Sequence, residues 1–243
     1  MSEITLSAQL IVPGDHLTTL HYAAEHLVSC CQDAIQDHGE FYLALSGGST
    51  PKALLSLLCS DDYISEIEWD RVHLFWGDER AAPPTSPESN FHMAMKAGLE
   101  KMLIPPHHIH RMIAEKEIEK HAALYEKNLR KILGDRSLDF VMLGMGEDGH
   151  TASLFPNTEA LKAKGKLVVA NHVPQKKAWR MTLTFDCINA ASHIVFYVMG
   201  ESKRTMLSRV FSSTPSLPCQ FVGTPENPAL WIADEDAAPE KLK

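Results

Sequence analysis

The chain is 243 residues long, with 44% hydrophobic and 22% charged residues, which are ordinary globular values; a chain of this length buries about 70–75% of its unfolded surface, enough for a large core. Lysine and arginine number 23 against 31 acidic residues, a net charge of −8, which excludes a general binder of nucleic acid or of anionic membranes. Any anionic ligand must therefore rely on cations gathered locally.

Five cysteines, at 30, 31, 59, 187 and 219, form neither a C-x-x-C pair nor a disulfide framework, so reduced packing residues are expected. Met1-Ser2-Glu3-Ile4-Thr5 lacks the basic and apolar regions of a signal peptide, and no apolar run approaches the roughly 18 residues needed to cross a bilayer. A cytoplasmic location with no membrane partner is the expectation. The even spread of charge and the lack of a repeated apolar stripe favour a monomer.

In chain order, the β-branched run from Ile4 to Val12 predicts a strand ended by Pro13-Gly14. Asp15 is then an N-cap for a helix whose apolar positions Leu20, Ala23, Ala24, Leu27, Val28 and Cys31 recur at three and four, up to Gly39. Phe41 to Leu45 predicts a short strand running into Ser46-Gly47-Gly48-Ser49-Thr50-Pro51. With Thr50 as N-cap and Pro51 at the first helical position, strand, glycine loop and helix N-terminus would aim backbone N–H groups at one point, where an anion fits. A plain strand-to-helix turn is the alternative, and the Walker spacing is absent.

Val72 to Trp76 predicts a third strand, after which Gly77-Asp78-Glu79-Arg80 would fall at the carboxyl edge of a parallel sheet. Ser89 caps a helix predicted from about Asn90 to Met102, and Pro105-Pro106 breaks it. His107, His108 and His110 follow with no carboxylate or cysteine at ligand spacing, so no metal is expected. Glu117 to Leu133 predicts a helix stopped by Gly134.

Leu138 to Leu143 is a buried strand interrupted only by Asp139, and it leads into Gly144-Met145-Gly146-Glu147-Asp148-Gly149-His150-Thr151-Ala152-Ser153-Leu154-Phe155-Pro156. Three glycines in six residues permit positive φ and close approach, and Asp148 and His150 put a carboxylate beside an imidazole. Beyond lie strands at Leu167 to Ala170 and at Met181 to Phe185, the latter with Arg180 at its entrance. Ile194 to Met199 is a further strand, Glu201 to Phe211 a helix with Lys203 in its first turn, Leu230 to Ala233 a last strand, and Asp234 to Lys243 a short terminal helix. Strands alternating with helices throughout, without repeat or linker, predict one α/β domain over residues 1–243 built on a mostly parallel sheet.

Three functions compete. Gly144-x-Gly146-x-x-Gly149 after a strand matches the dinucleotide fingerprint, but Pro156 comes too soon for the pyrophosphate helix, and Lys166 to Gln175 contains no acid for the ribose. A non-catalytic phosphosugar-binding module would use the anion loop but would have no need of Asp148 and His150. An enzyme acting on a sugar phosphate uses both.

Ser46-Gly47-Gly48-Ser49-Thr50-Pro51, Asp78-Glu79-Arg80 with Ser89-Asn90, the stretch from Gly144 to Pro156, Arg180-x-Thr182-Leu183-Thr184 and Gly200-x-x-Lys203 resemble, in order and spacing, the 6-phosphogluconolactonases over about residues 40 to 235. The resemblance implies a Rossmann-like, mostly parallel sheet flanked by helices, of the type shared with glucosamine-6-phosphate deaminases, ribose-5-phosphate isomerases and CoA transferases. It implies hydrolysis of 6-phospho-D-glucono-1,5-lactone to 6-phosphogluconate in the oxidative pentose phosphate pathway, with no metal and no organic cofactor. Carried over by position, Ser46, Gly47, Gly48, Ser49 and Thr50 with Arg180 and Lys203 would hold the phosphate, and His150 would be catalytic. Asp148 would orient His150, Arg80 would stabilise an oxyanion or help bind phosphate, and Asp78 would accept from sugar hydroxyls. Ser46 lacks the G-x-S-x-G setting of a nucleophile.

The deaminase is the second reading. In deaminases the corresponding histidine is followed by Ile-Ala-Phe-Asn-Glu-Pro, whose glutamate relays protons; here Phe155 occupies that position. The chain departs from the common lactonase pattern at Thr85-Ser86, at Asn157 and at Lys176-Lys177, positions that bear on loop conformation and rim charge.

Overall fold

The computed structural model describes residues 8–212 and 215–240. In chain order its strands are β1 (Ala8–Ile11), β2 (Phe41–Leu45), β3 (Val72–Trp76), β4 (Asp78–Arg80), β5 (Phe140–Leu143), β6 (Val168–Val173), β7 (Ala178–Leu183), β8 (His193–Val198) and β9 (Ala229–Ala233). The helices are α1 (His16–His38), α2 (Ser49–Leu58), α3 (Asn90–Lys96), α4 (Ile118–Leu133), α5 (Phe185–Asn189) and α6 (Arg204–Val210). Six strands pair in parallel in the order β1-β9-β8-β5-β2-β3.

Every residue of β2, β3 and β5 is buried. Helices cover both faces of a parallel sheet, so its inner strands read as unbroken apolar runs rather than alternating ones. Phe196 of β8 stacks on Trp231 of β9 with centroids 3.8 Å apart, and both are fully buried; each such side chain contributes about 1.5–3 kcal/mol of burial. Asp139, the polar interruption before β5, accepts from the Tyr42 backbone N–H at 2.7 Å and meets His38 Nε2 at 2.9 Å. It ties the C-terminal end of α1 and the start of β2 to β5.

From β2 the chain passes outward to β3, and from β5 it passes the other way to β8. The carboxyl ends of β2 and β5 therefore flank the switch in strand order, the crevice where open α/β sheets bind ligands.

Several expectations need correction. The mostly parallel sheet is present, but β4, β7 and β6 form a second, antiparallel sheet of three strands. Asp78-Glu79-Arg80 is thus a strand rather than a loop: Gly77 donates to the Leu45 carbonyl at 2.7 Å, and one residue later the chain has crossed to pair with β7. Arg180 lies within β7 instead of at its entrance, and Thr184 ends that strand by capping α5 through Cys187 N at 3.2 Å. The helix expected through Met102 stops at Lys96, with a separate 3₁₀ turn at Leu99–Lys101. Lys203 occupies a 3₁₀ turn ahead of α6. Residues 4–7 of the first expected strand and 241–243 of the expected terminal helix lie outside the described residues; Glu235–Ala237 form a turn.

Candidate active site

The loop after β2 is the first wall. α2 begins at Ser49 with Gly48 as N-cap at φ 111°, not with Thr50 as cap, so Pro51 falls inside the first turn. No side chain caps this helix. The first N–H groups of any helix lack intrahelical partners, and Ser49 and Thr50 line the cavity between β2 and β5 together with Ser46, Gly47 and Gly48. A side chain on Gly47 is impossible without rearrangement, because a Cβ there would lie 2.0 Å from Asn90 Oδ1.

The loop after β5 is the second wall. Gly146 N–H bonds the His150 carbonyl at 2.9 Å, and Gly149 turns back to Gly146 at 3.1 Å with φ +77°. This turn folds His150 over Gly146, where a Cβ would lie 2.0 Å from the imidazole Nδ1. The ring also stacks on Phe155, with centroids 3.8 Å apart and 18° between planes. Phe155, which can move no proton, is the platform on which the imidazole rests.

Asp148 Oδ1 and His150 Nδ1 are 2.5 Å apart, and Oδ1 also accepts from the His150 backbone N–H at 3.1 Å. Burial pushes the Asp148 carboxyl up, but the His150 hydrogen bond and charge outweigh it and hold the group below its ordinary value. An ionised carboxylate only accepts, so Nδ1 is the nitrogen that donates to Asp148 and Nε2 is the one left to exchange a proton. Ala152 adopts φ +46° beside this loop, a strained setting of the kind found at functional sites. Asn157 at φ +62° occupies the left-handed region that asparagine tolerates, so the glycine it replaces is not missed.

The third wall is cationic. Arg80 and Arg180 are register partners across β4 and β7. Arg80 Nη1 donates to the Glu88 carbonyl at 2.7 Å, while Arg180 Nε is buried without a hydrogen-bond partner among the described residues. Burial lowers the Arg180 pKa from its ordinary value, Asp78 opposes this and Arg80 adds to it. Lys203 Nζ reaches the Met145 carbonyl at 2.8 Å. Lys176, one of the departures from the lactonase pattern, adds a further cation to the lining.

All eleven residues singled out from the sequence line one cavity of about 830 Å³. Two carry a different emphasis than expected. Asp78, only 8% exposed, already accepts from Ser153 Oγ at 2.6 Å and Asn90 Nδ2 at 3.0 Å, so much of its hydrogen-bonding capacity goes to tying β4 to the loop after β5 and to the start of α3. Its neighbour Glu79 turns inward and accepts from Arg80 N, Asn90 N, Ser89 Oγ and Phe91 N, which anchors the start of α3. Burial pushes Glu79 up, against the pull of those donors. The sequence gives no role to Ser153, Glu88 or Lys176; Ser153 stands inside the long glycine motif, Lys176 at a departure bearing on rim charge, and Glu88 has only its place beside Ser89-Asn90 as a signal.

The arrangement sets a proton-exchanging imidazole and a group of cations around one cavity. The family model described as glucosamine-6-phosphate isomerases/6-phosphogluconolactonase matches residues 15–231. The chain is 41% identical over 220 residues to a 6-phosphogluconolactonase of Chlamydia pneumoniae, covering 88% of this chain and 83% of that one. It is 39% identical over 216 residues to one from Nostoc sp., covering 85% and 87%. The solved 6-phosphogluconolactonase of Trypanosoma cruzi superposes with a TM-score of 0.85 at 27% identity, over 98% of each chain. The chain belongs to the glucosamine-6-phosphate isomerase/6-phosphogluconolactonase family, on its lactonase side.

Proposed function

We propose that this protein is a 6-phosphogluconolactonase, hydrolysing 6-phospho-D-glucono-1,5-lactone to 6-phosphogluconate in the oxidative pentose phosphate pathway. The observation that carries the reading is the Asp148–His150 pair facing the same cavity as the glycine loop and Arg180. The phosphate binds at the cations Arg180 and Lys203 and at the N–H groups of Ser49 and Thr50, through charge-assisted hydrogen bonds. That contact fixes the far end of the sugar and presents the lactone carbonyl to His150.

His150 Nε2 takes a proton from water as the water oxygen attacks the carbonyl carbon. The resulting oxyanion collapses, the bond to the ring oxygen breaks, and imidazolium returns the proton to that oxygen. Asp148 holds the tautomer and favours the imidazolium as it forms, while Arg80 stabilises the oxyanion. A placed base supplies about 10²–10⁴ in rate and an oxyanion donor about 10²–10³. An activated ester needs no covalent nucleophile beyond these.

Supporting the same reading, all groups invoked come from one chain, so a monomer suffices, and both sheets contribute walls to the cavity, so they act as one domain. A cytoplasmic location is supported by five free thiols. Among the described residues no helix is long and apolar enough to cross a membrane. The test offers purified protein freshly generated 6-phosphogluconolactone and, separately, glucosamine 6-phosphate, following acid and ammonia release. Acid from the lactone without ammonia is expected; ammonia without acid transfers the protein to the deaminase reading.

A further inference from the structure

At the amino-terminal edge of the parallel sheet, away from the cavity, a second cluster of chemistry-bearing side chains has no part in lactone hydrolysis. Glu40 immediately precedes β2, His73 is the second residue of β3, and His108 ends a 3₁₀ turn at Pro106–His108. One ring nitrogen from each histidine and one Glu40 oxygen all lie within 4.8 Å of one another. His73 Nε2 and His108 Nδ1 are both buried without a hydrogen-bond partner among the described residues, and the two residues are only 7% and 9% exposed. His73 Nε2 stands 3.4 Å from Glu40 Oε2 but is not aligned to donate to it. Bare imidazole nitrogens buried beside a carboxylate are a costly arrangement unless something bridges them.

We propose that Glu40, His73 and His108 form a binding site for a divalent cation of the zinc class. Two imidazoles and one carboxylate are a donor set that holds zinc tetrahedrally with a fourth position for water. Ligand atoms bound at 2.0–2.2 Å to a tetrahedral ion lie about 3.4 Å apart, the separation His73 and Glu40 already have. The His108 ring stacks on His73 with centroids 3.6 Å apart and 23° between planes, so His108 must tilt out of the stack to aim a ring nitrogen at the same ion.

The outer contacts suit the same role. His73 Nδ1 meets His110 Nε2 at 3.2 Å, and the Tyr42 hydroxyl donates to Glu40 Oε2 at 2.6 Å; such partners orient metal ligands. The Glu40 side chain is 40% exposed and gives the ion a path from solvent. Bound there, the cation would tie β2, β3 and the Pro106 loop together without touching the reaction.

The experiment takes tag-free protein stripped with a chelator and titrates it with zinc chloride by calorimetry, with thermal melting and lactonase turnover measured alongside. One equivalent of zinc and a higher Tm are expected, with turnover unchanged. Glu40→Gln and His108→Gln should each weaken binding by at least roughly tenfold and remove the rise in Tm. Glu40→Gln should retain lactonase turnover, which reports that it has folded. Cobalt in place of zinc should give the intense visible absorption of a tetrahedral site. Absence of a bound equivalent, binding that survives both substitutions, or binding lost in His150→Ala instead would overturn the proposal, and none of these outcomes depends on the lactonase reading.

Discussion

Arg80 and Arg180 face each other at one register position of the antiparallel pair β4–β7, and neither makes an ion pair among the described residues. Like charges directly opposed on a ladder destabilise it. In the reading proposed above the substrate relieves this repulsion, with its phosphate at Arg180 and the oxyanion that develops in the reaction at Arg80.

Arg180→Ala should therefore raise KM for the phosphorylated lactone by roughly 10–100-fold, the scale of one lost hydrogen bond to a charged group, with kcat little changed. Arg180→Lys should fall between, since it keeps the charge but loses the planar fork. Without phosphate, Arg180→Ala should melt slightly higher than the parent; with phosphate that advantage should vanish. Steady-state kinetics with an unaltered KM would remove Arg180 from the phosphate site.

His150→Ala should lower kcat by about 10²–10⁴ and leave KM nearly unchanged. Asp148→Asn should act in the same direction and less severely, because the side chain is 42% exposed and water can replace part of its contact. Its effect should appear in kcat, since an amide no longer enforces the Nδ1–H tautomer. Near-native turnover in His150→Ala would end the proposed division of labour.

Gly146→Ala tests the close approach beneath the imidazole. A methyl group there would lie 2.0 Å from His150 Nδ1, so the ring must leave its place against Gly146 and Phe155. A displacement of about 1 Å costs roughly 10² in rate, and kcat should fall by at least that while the circular dichroism spectrum is retained. Native kcat in Gly146→Ala would show that the ring position is not decisive.

Stability should also respond to pH away from the active site. Burial, and then the nearby His193, lower the His26 pKa, so the folded chain resists a proton that the unfolded chain accepts near 6.5. More protons bound to the unfolded state means stability that rises with pH across that window and is lost as pH falls below about 6.5. Urea midpoints should drop between pH 7.5 and 5.5, and His26→Gln should flatten the slope. An equal slope in parent and variant would assign the loss to other groups.

The sequence alone was enough for the elements whose signals are local. The apolar runs of β2, β3, β5 and β8, the Asp15 cap and Gly39 stop of α1, and the glycine loops after β2 and β5 follow from neighbours within a few residues. So did the demand for gathered cations, which follows from a net charge of −8.

What only the tertiary structure decided depends on partners far apart along the chain. Asp78-Glu79-Arg80 is too short to announce itself as a strand, and it becomes one because β7, about a hundred residues later, offers a ladder to pair with. Register across that ladder, invisible in either segment, sets Arg80 against Arg180. Glu79 reads as one more surface charge until Ser89, Asn90 and Phe91 bring donors to it. The histidines after Pro106 lacked a carboxylate in sequence, and the parallel pairing of β2 with β3 carries Glu40 and His73 to the edge where His108 lies. Local chemistry chooses the elements, but hydrogen-bond pairing and burial between distant segments choose which side chains meet.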